Sequence, residues 1–109
     1  MIEVIWTYRV REEHLAAYER YYHSDGVWAE LFRRAPEYRG TVLLRDCDDP
    51  LRFATVDRWE SWPAYERFLS EHRAEYEQID AACAEFTTEE ARVGCFDEAE
   101  GTQSACSDE

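Results

Sequence analysis

Phe53-Ala54-Thr55-Val56-Asp57-Arg58-Trp59 runs directly into Glu60-Ser61-Trp62-Pro63-Ala64-Tyr65-Glu66-Arg67-Phe68-Leu69. The first seven residues read as the end of a strand, and Ser61 marks where a helix begins. Its hydroxyl can accept from a free amide of the first turn. Pro63 follows where a missing N–H costs little. Position 64 is Ala, not Glu or Gln, so no reciprocal capping box forms. Beyond it Tyr65, Phe68, Leu69, His72, Tyr76, Ile79, Cys83 and Phe86 recur in steps of three and four. That spacing predicts one long helix with these residues along a single face. Glu66, Arg67, Glu71, Arg73, Glu77 and Asp80 take its wet side.

Upstream, Tyr38 to Asp46 predicts a second strand centred on Val42, Leu43 and Leu44. Asp48-Asp49-Pro50 is a turn, so this strand and Arg52–Trp59 form a hairpin joined by about five residues. At the N-terminus Ile2, Val4, Trp6, Tyr8 and Val10 alternate with Glu3, Ile5, Thr7 and Arg9, a strand signature. Leu15, Tyr18 and Tyr22, then Trp28, Leu31 and Phe32, predict a two-part helix over about residues 12–35. Ser24-Asp25-Gly26 breaks it. Glu90–Phe96 predicts a short fourth strand, and the acidic run from Asp97 to Glu109 a disordered tail. The chain therefore divides into a domain over residues 1–97 and a tail over 98–109.

The 109 residues make one small domain. Aromatics reach 15%, enough for large flat core walls. The formal charge is −13, of which the run from Asp97 carries five, leaving −8 on the body. An acidic body argues against nucleic acid and against anionic membrane as partners. No stretch approaches the length of a membrane span, and the chain enters a strand at once without a signal peptide. A cytoplasmic protein is expected. Cys47, Cys83, Cys95 and Cys106 include no C-x-x-C pair and no finger-type His spacing, so reduced thiols are expected and no metal site.

The order strand, helix, strand, strand, helix, strand predicts an α+β, ferredoxin-like βαββαβ domain. It would have a four-stranded antiparallel sheet with both helices on one face. Ile5, Val42 or Leu43, Ala54, Val56 and Phe96 leave the other face partly apolar. A second copy packed there, as a homodimer, would cover it.

Trp28-Ala29-Glu30-Leu31-Phe32-Arg33-Arg34-Ala35-Pro36-Glu37-Tyr38-Arg39-Gly40, the opening strand, the hairpin and Trp59-Glu60-Ser61-Trp62-Pro63-Ala64-Tyr65 together resemble the antibiotic biosynthesis monooxygenase superfamily. The resemblance implies a dimeric α+β barrel. It also implies a small monooxygenase that works without metal or flavin on an aromatic or polyketide-type molecule. The same superfamily includes heme-degrading enzymes, isomerases and proteins without known activity. A non-catalytic small-molecule-binding or stress-associated dimer is therefore an alternative, and an isomerase or lyase a further one. Heme-degrading members place an axial His late in the last helix. Here that turn holds Tyr76, Gln78 and Ile79, and His72 comes earlier.

In quinone-forming members a Trp and a Tyr six residues later contribute to the pocket, which corresponds to Trp59 and Tyr65. The Asn those members carry four residues before the Trp is Thr55 here. His72 lies on the apolar stripe, where its ordinary pKa suits proton abstraction near neutrality. The candidate catalytic residues are accordingly Tyr65, His72 and Trp59. Tyr22 and Trp28, flanking the helix break, join Thr55 and Trp6 as candidate substrate-binding residues. His14 and His23 are expected to face solvent. Asp57 and Arg58 must face opposite sides of the sheet, since strand neighbours alternate. An ion pair at a barrel seam or across the dimer is the expectation for them, as for Arg9 and Arg45. Charges in sheet centres are uncommon, so one of these is a candidate partner for an anionic substrate group.

Overall fold

The computed structural model describes residues 1–99. Four strands, β1 (Ile2–Val10), β2 (Tyr38–Asp46), β3 (Asp49–Trp59) and β4 (Thr87–Asp97), form one antiparallel sheet in the order β2-β3-β1-β4. A 3-10 turn (Glu12–His14) leads into α1 (Leu15–Tyr22), and α2 (Val27–Phe32) follows the expected break. The second crossover is α3 (Trp62–Glu71) and α4 (Arg73–Cys83). This is the ferredoxin-like α+β fold, with the helices on one face. The tail expected over 98–109 lies almost wholly outside the described residues, as does Cys106. No helix among the described residues is long and apolar enough to cross a membrane.

Period-two alternation sorts the sheet into two faces. Val4, Tyr8 and Val10 of β1, with Phe53, Thr55 and Trp59 of β3, are buried under the helices. Tyr18, Tyr22, Phe32 and Phe68 close over them from above. Packing is largely ring against ring: Tyr18 stacks on Tyr22 at 4.3 Å, and Trp59 lies 5.6 Å from Phe32 and 5.2 Å from Phe68.

Ser61 caps α3 as its sequence predicts, its Oγ accepting from the Ala64 amide at 3.3 Å. The long helix expected beyond it is two helices. At His72 the backbone leaves helical geometry (φ −119°, ψ 29°). The imidazole stacks on Phe68 at 4.3 Å, and its Nδ1 lies 3.2 Å from the Phe68 carbonyl. The Phe68 carbonyl still accepts the His72 amide at 2.9 Å, and the His72 carbonyl the Tyr76 amide at 2.9 Å, so backbone bonds span the kink.

The hairpin is also tighter than expected. Only Cys47 and Asp48 separate the strands, with Asp46 opposite Asp49. The Asp46 carboxylate accepts from the Asp48 amide at 2.8 Å and that of Asp49 from the Leu51 amide at 3.0 Å. These Asx bonds let Asp49 and Pro50 join the strand. β4 is longer than Glu90–Phe96. It pairs with β1 from Val10↔Thr87 to Ile2↔Asp97, its polar N-terminal half held by backbone bonds at the sheet edge.

Candidate functional site

Between the inner sheet face and the helices lies a cleft enclosing about 470 Å³ of empty space, its open mouth included. The sheet supplies Trp6 and Tyr8 from β1, Thr41 from β2, Thr55 and Asp57 from β3, and Glu90 from β4. The helices supply Tyr22, Trp28 and Phe32, then Tyr65, Tyr76 and Asp80. Gly26 makes this possible at the helix break. A Cβ there would sit 2.5 Å from the Arg20 carbonyl oxygen and 2.7 Å from that of Tyr21. Only a bare backbone can turn so closely over the end of α1. That turn brings the rings of Tyr22 and Trp28 to 6.2 Å.

Asp57 is a carboxyl group on the cleft floor. It shares the phase of Thr55 and Trp59, so it faces the helices, whereas Arg58 faces the other way and meets Glu3 at 3.1 Å. The seam ion pair expected for Asp57 does not form. Its Oδ1 accepts instead from the Thr41 hydroxyl at 2.7 Å, and Thr41 Oγ1 lies 2.5 Å from the Tyr38 hydroxyl. Burial pushes the Asp57 carboxyl up to about 6, against the opposing pull of the Thr41 hydrogen bond. A carboxylate tuned towards neutrality in an aromatic cleft is suited to take a proton and return it.

Around it the tyrosines remain protonated donors. Burial raises Tyr8 and Tyr22 well above the ordinary phenol range and pushes Tyr65 up to about 12, with the Asp57 charge adding to the last. The Tyr8 hydroxyl lies 3.4 Å from Thr55 Oγ1. Tyr65 is 8% exposed, and its hydroxyl finds no protein hydrogen-bond partner among the described residues.

Five expected residues thus meet in one place: Tyr65, Tyr22, Trp28, Thr55 and Trp6. Two do not. Trp59 is fully buried behind the cleft wall, between Tyr38, Phe32, Phe68 and Tyr65. His72 faces a separate shallow groove with Arg34, Pro36 and Arg67, on the far side of Phe68. Arg9 and Arg45 pair with Asp49 and Glu19. Among the described residues no arginine or histidine lines the cleft. Sequence reasoning did not name Tyr8, Phe32, Thr41, Tyr76, Asp80 or Glu90 as lining residues, and it read Asp57 as half of an ion pair. The available signal was phase: Asp57 is two residues from Thr55 and two from Trp59. No group of three or more His, Cys, Asp or Glu among the described residues could hold a metal ion.

The profile of the antibiotic biosynthesis monooxygenase family matches residues 1–78. No curated protein matches the chain. Among solved structures, a candidate antibiotic biosynthesis monooxygenase from Deinococcus radiodurans superposes with a TM-score of 0.73 at 17% identity, over 94% of this chain and 97% of that one. SnoaB, a cofactor-independent oxygenase from Streptomyces nogalater, gives 0.65 at 19% identity over 91% and 93%. A conserved protein from Methanosarcina mazei gives 0.68 at 11% identity over 90% and 92%. At such identities the structural likeness speaks for the fold alone, whereas the profile match spans most of the sequence. The chain belongs to the antibiotic biosynthesis monooxygenase family.

Proposed function

We propose that the protein is a cofactor-independent monooxygenase acting on an electron-rich aromatic molecule, a phenol beside a ketone, with Asp57 as the general base. The observation that carries this reading is Asp57 itself: a carboxyl poised near neutrality on the floor of an aromatic cleft. Asp57 takes the phenol proton, and the electron-rich ring carbon gives its electrons to dioxygen, forming a C–O bond. The peroxide O–O bond then breaks, leaving a quinone oxygen on the ring and one water. The substrate supplies every electron, so phenol and dioxygen balance quinone and water. Tyr65 and Tyr8 are placed to donate to the oxygen on which charge collects. Trp6, Tyr22, Trp28 and Thr55 shape the cleft, and Trp59 fixes Tyr65 from behind. The test is incorporation of isotopically labelled dioxygen into hydroxyaryl ketones. The Asp57→Asn variant is expected to lose about a hundredfold or more in rate, the usual worth of a positioned base. Undiminished turnover in that variant would remove Asp57 from the role.

One observation favours a second reading, a binding protein without catalysis. Among the described residues no cationic side chain lines the cleft to stabilise an anionic intermediate. Tight ligand binding with no oxygen uptake across the panel would select it. In either case we infer a cytoplasmic homodimer joined through the outer sheet face. Ile5, Val42 and Val56 lie side by side there, with Leu44 and Phe96 about half exposed.

A further inference from the structure

The charges around the cleft are one-sided. Asp57, Asp80 and Glu90 all line it, and among the described residues no arginine or histidine forms an ion pair with any of them. Arg92 lies opposite Trp6 in the sheet register, yet its guanidinium lies 5.9 Å from the Trp62 ring and outside the cleft lining.

The acids also occupy two ends. Asp57 is level with Val4 of β1, and Glu90 with Tyr8, four residues further along the strand. At roughly 3.3 Å per residue this separates them by about 13 Å along the strand. Asp80 and Glu90 are both exposed and both line the cleft, which sets them together at its mouth. Tyr76 and Trp28, with ring centroids 4.9 Å apart, belong to the same lining. An aromatic wall beside uncompensated carboxylates is how organic cations are recognised. The Tyr65 side chain is nine-tenths buried in the cleft lining, and its hydroxyl, without a protein partner among the described residues, is an independent sign that the cleft is built for a ligand.

We propose that the cleft takes an aromatic ligand bearing an ammonium group, with the cation held at the mouth by Asp80 and Glu90 against Trp28 and Tyr76, and the aromatic body directed towards Asp57. This deepens the substrate reading of the same cleft and rests on it. A carboxylate at the mouth end would meet two like charges and no donor cation, so acidic relatives of the ligand are rejected.

The test is calorimetric titration of the full chain, at low ionic strength and neutral pH, with three probes of similar size. They are benzyltrimethylammonium, neutral benzylacetone and anionic hydrocinnamate. The cation is expected to bind about tenfold more tightly than the ketone, and the anion more weakly than either. Asp80→Asn combined with Glu90→Gln should bring the cation down to the ketone while leaving the ketone unchanged. Equal or tighter binding of ketone or anion, no binding of the cation, or a preference that survives the double variant overturns the proposal. If the ranking fails while labelled oxygen still enters neutral phenols, only this inference falls. If the ranking holds without oxygen incorporation, only the oxygenase reading does.

Discussion

Asp57 sits where a carboxylate is costly to ionise, with the Thr41 hydroxyl as its only hydrogen-bond donor among the described residues. Its pKa is raised in the folded protein, so between about 4 and about 6 the native state binds more protons than the unfolded chain. Stability from this group is therefore lost as pH rises through that window, and the full penalty applies above it. Asp57→Asn keeps an acceptor for Thr41 and removes the charge. It is expected to stabilise the protein at pH 8 by on the order of 1–3 kcal/mol, with little gain near pH 4. Urea unfolding at both values checks this. Destabilisation at pH 8 would mean that the carboxylate is compensated by a contact this account lacks. A variant that folds better and turns over worse is the usual mark of a residue kept for chemistry. At this scale the sequence was partly legible. Tyr65, Tyr22, Trp28, Thr55 and Trp6 were readable as inward aromatics or by resemblance. Asp57 was named only with Arg58, as half of an ion pair, because an Asp-Arg pair in a strand reads so until the register assigns each to a face. His72 misled for a related reason: helical spacing put it on the apolar stripe, but the backbone departs from helical geometry there and the ring stacks on Phe68, facing a groove apart from the cleft.

Ser61 and Gly26 each govern the start of an element, by different physics. Ser61→Ala removes one acceptor from the first turn of α3 and should cost about 1 kcal/mol, the ordinary worth of such a cap. The cleft should be unaffected, since Tyr65 is held by Trp59 and Trp62 as well. Gly26→Ala drives a methyl against two backbone carbonyls and forces α1 and α2 apart. An expected loss of about 1–3 kcal/mol goes with it. Because Tyr22 and Trp28 flank that break, ligand affinity should fall as well. Thermal unfolding with calorimetric titration of both variants separates the cases. Equal affinity in the two would show that the break does not position the cleft wall. Both starts were visible in the sequence, the one as a capping residue before a proline, the other as a Ser-Asp-Gly interruption. The length of β4 was not, because Thr87, Thr88, Glu89 and Glu90 carry no hydrophobic alternation. An edge strand held by backbone bonds leaves little trace in side chains.

The whole molecule presents an apolar outer sheet face on an acidic body, and these two properties act oppositely on self-association. Ile5, Ala54, Val56 and Val42 form its centre, flanked by Leu44 at 49% and Phe96 at 50% exposure. The arginines on or beside this face are already paired within the chain: Arg9 with Asp49, Arg52 with Asp46 and Arg58 with Glu3. A dimer formed here would draw on apolar burial rather than new ion pairs, and it must bring together two chains of formal charge −13. Added salt screens that repulsion and leaves the apolar contribution intact. Sedimentation of the purified protein is thus expected to show a dimer that tightens as sodium chloride is raised. Leu44→Glu, at a position exposed in the single chain, should yield a folded monomer with an unchanged circular dichroism spectrum. A dimer that weakens with salt would place ion pairs at the interface, and one that persists in Leu44→Glu would place the interface elsewhere. The consequence reaches the chemistry, because β3 carries Val56 on the outer face and Thr55 and Asp57 on the inner. Anchoring one side of this strand against a partner would hold the other side's carboxyl in place. The monomeric Leu44→Glu protein should therefore bind ligand more weakly than the dimer, although no outer-face residue lines the cleft.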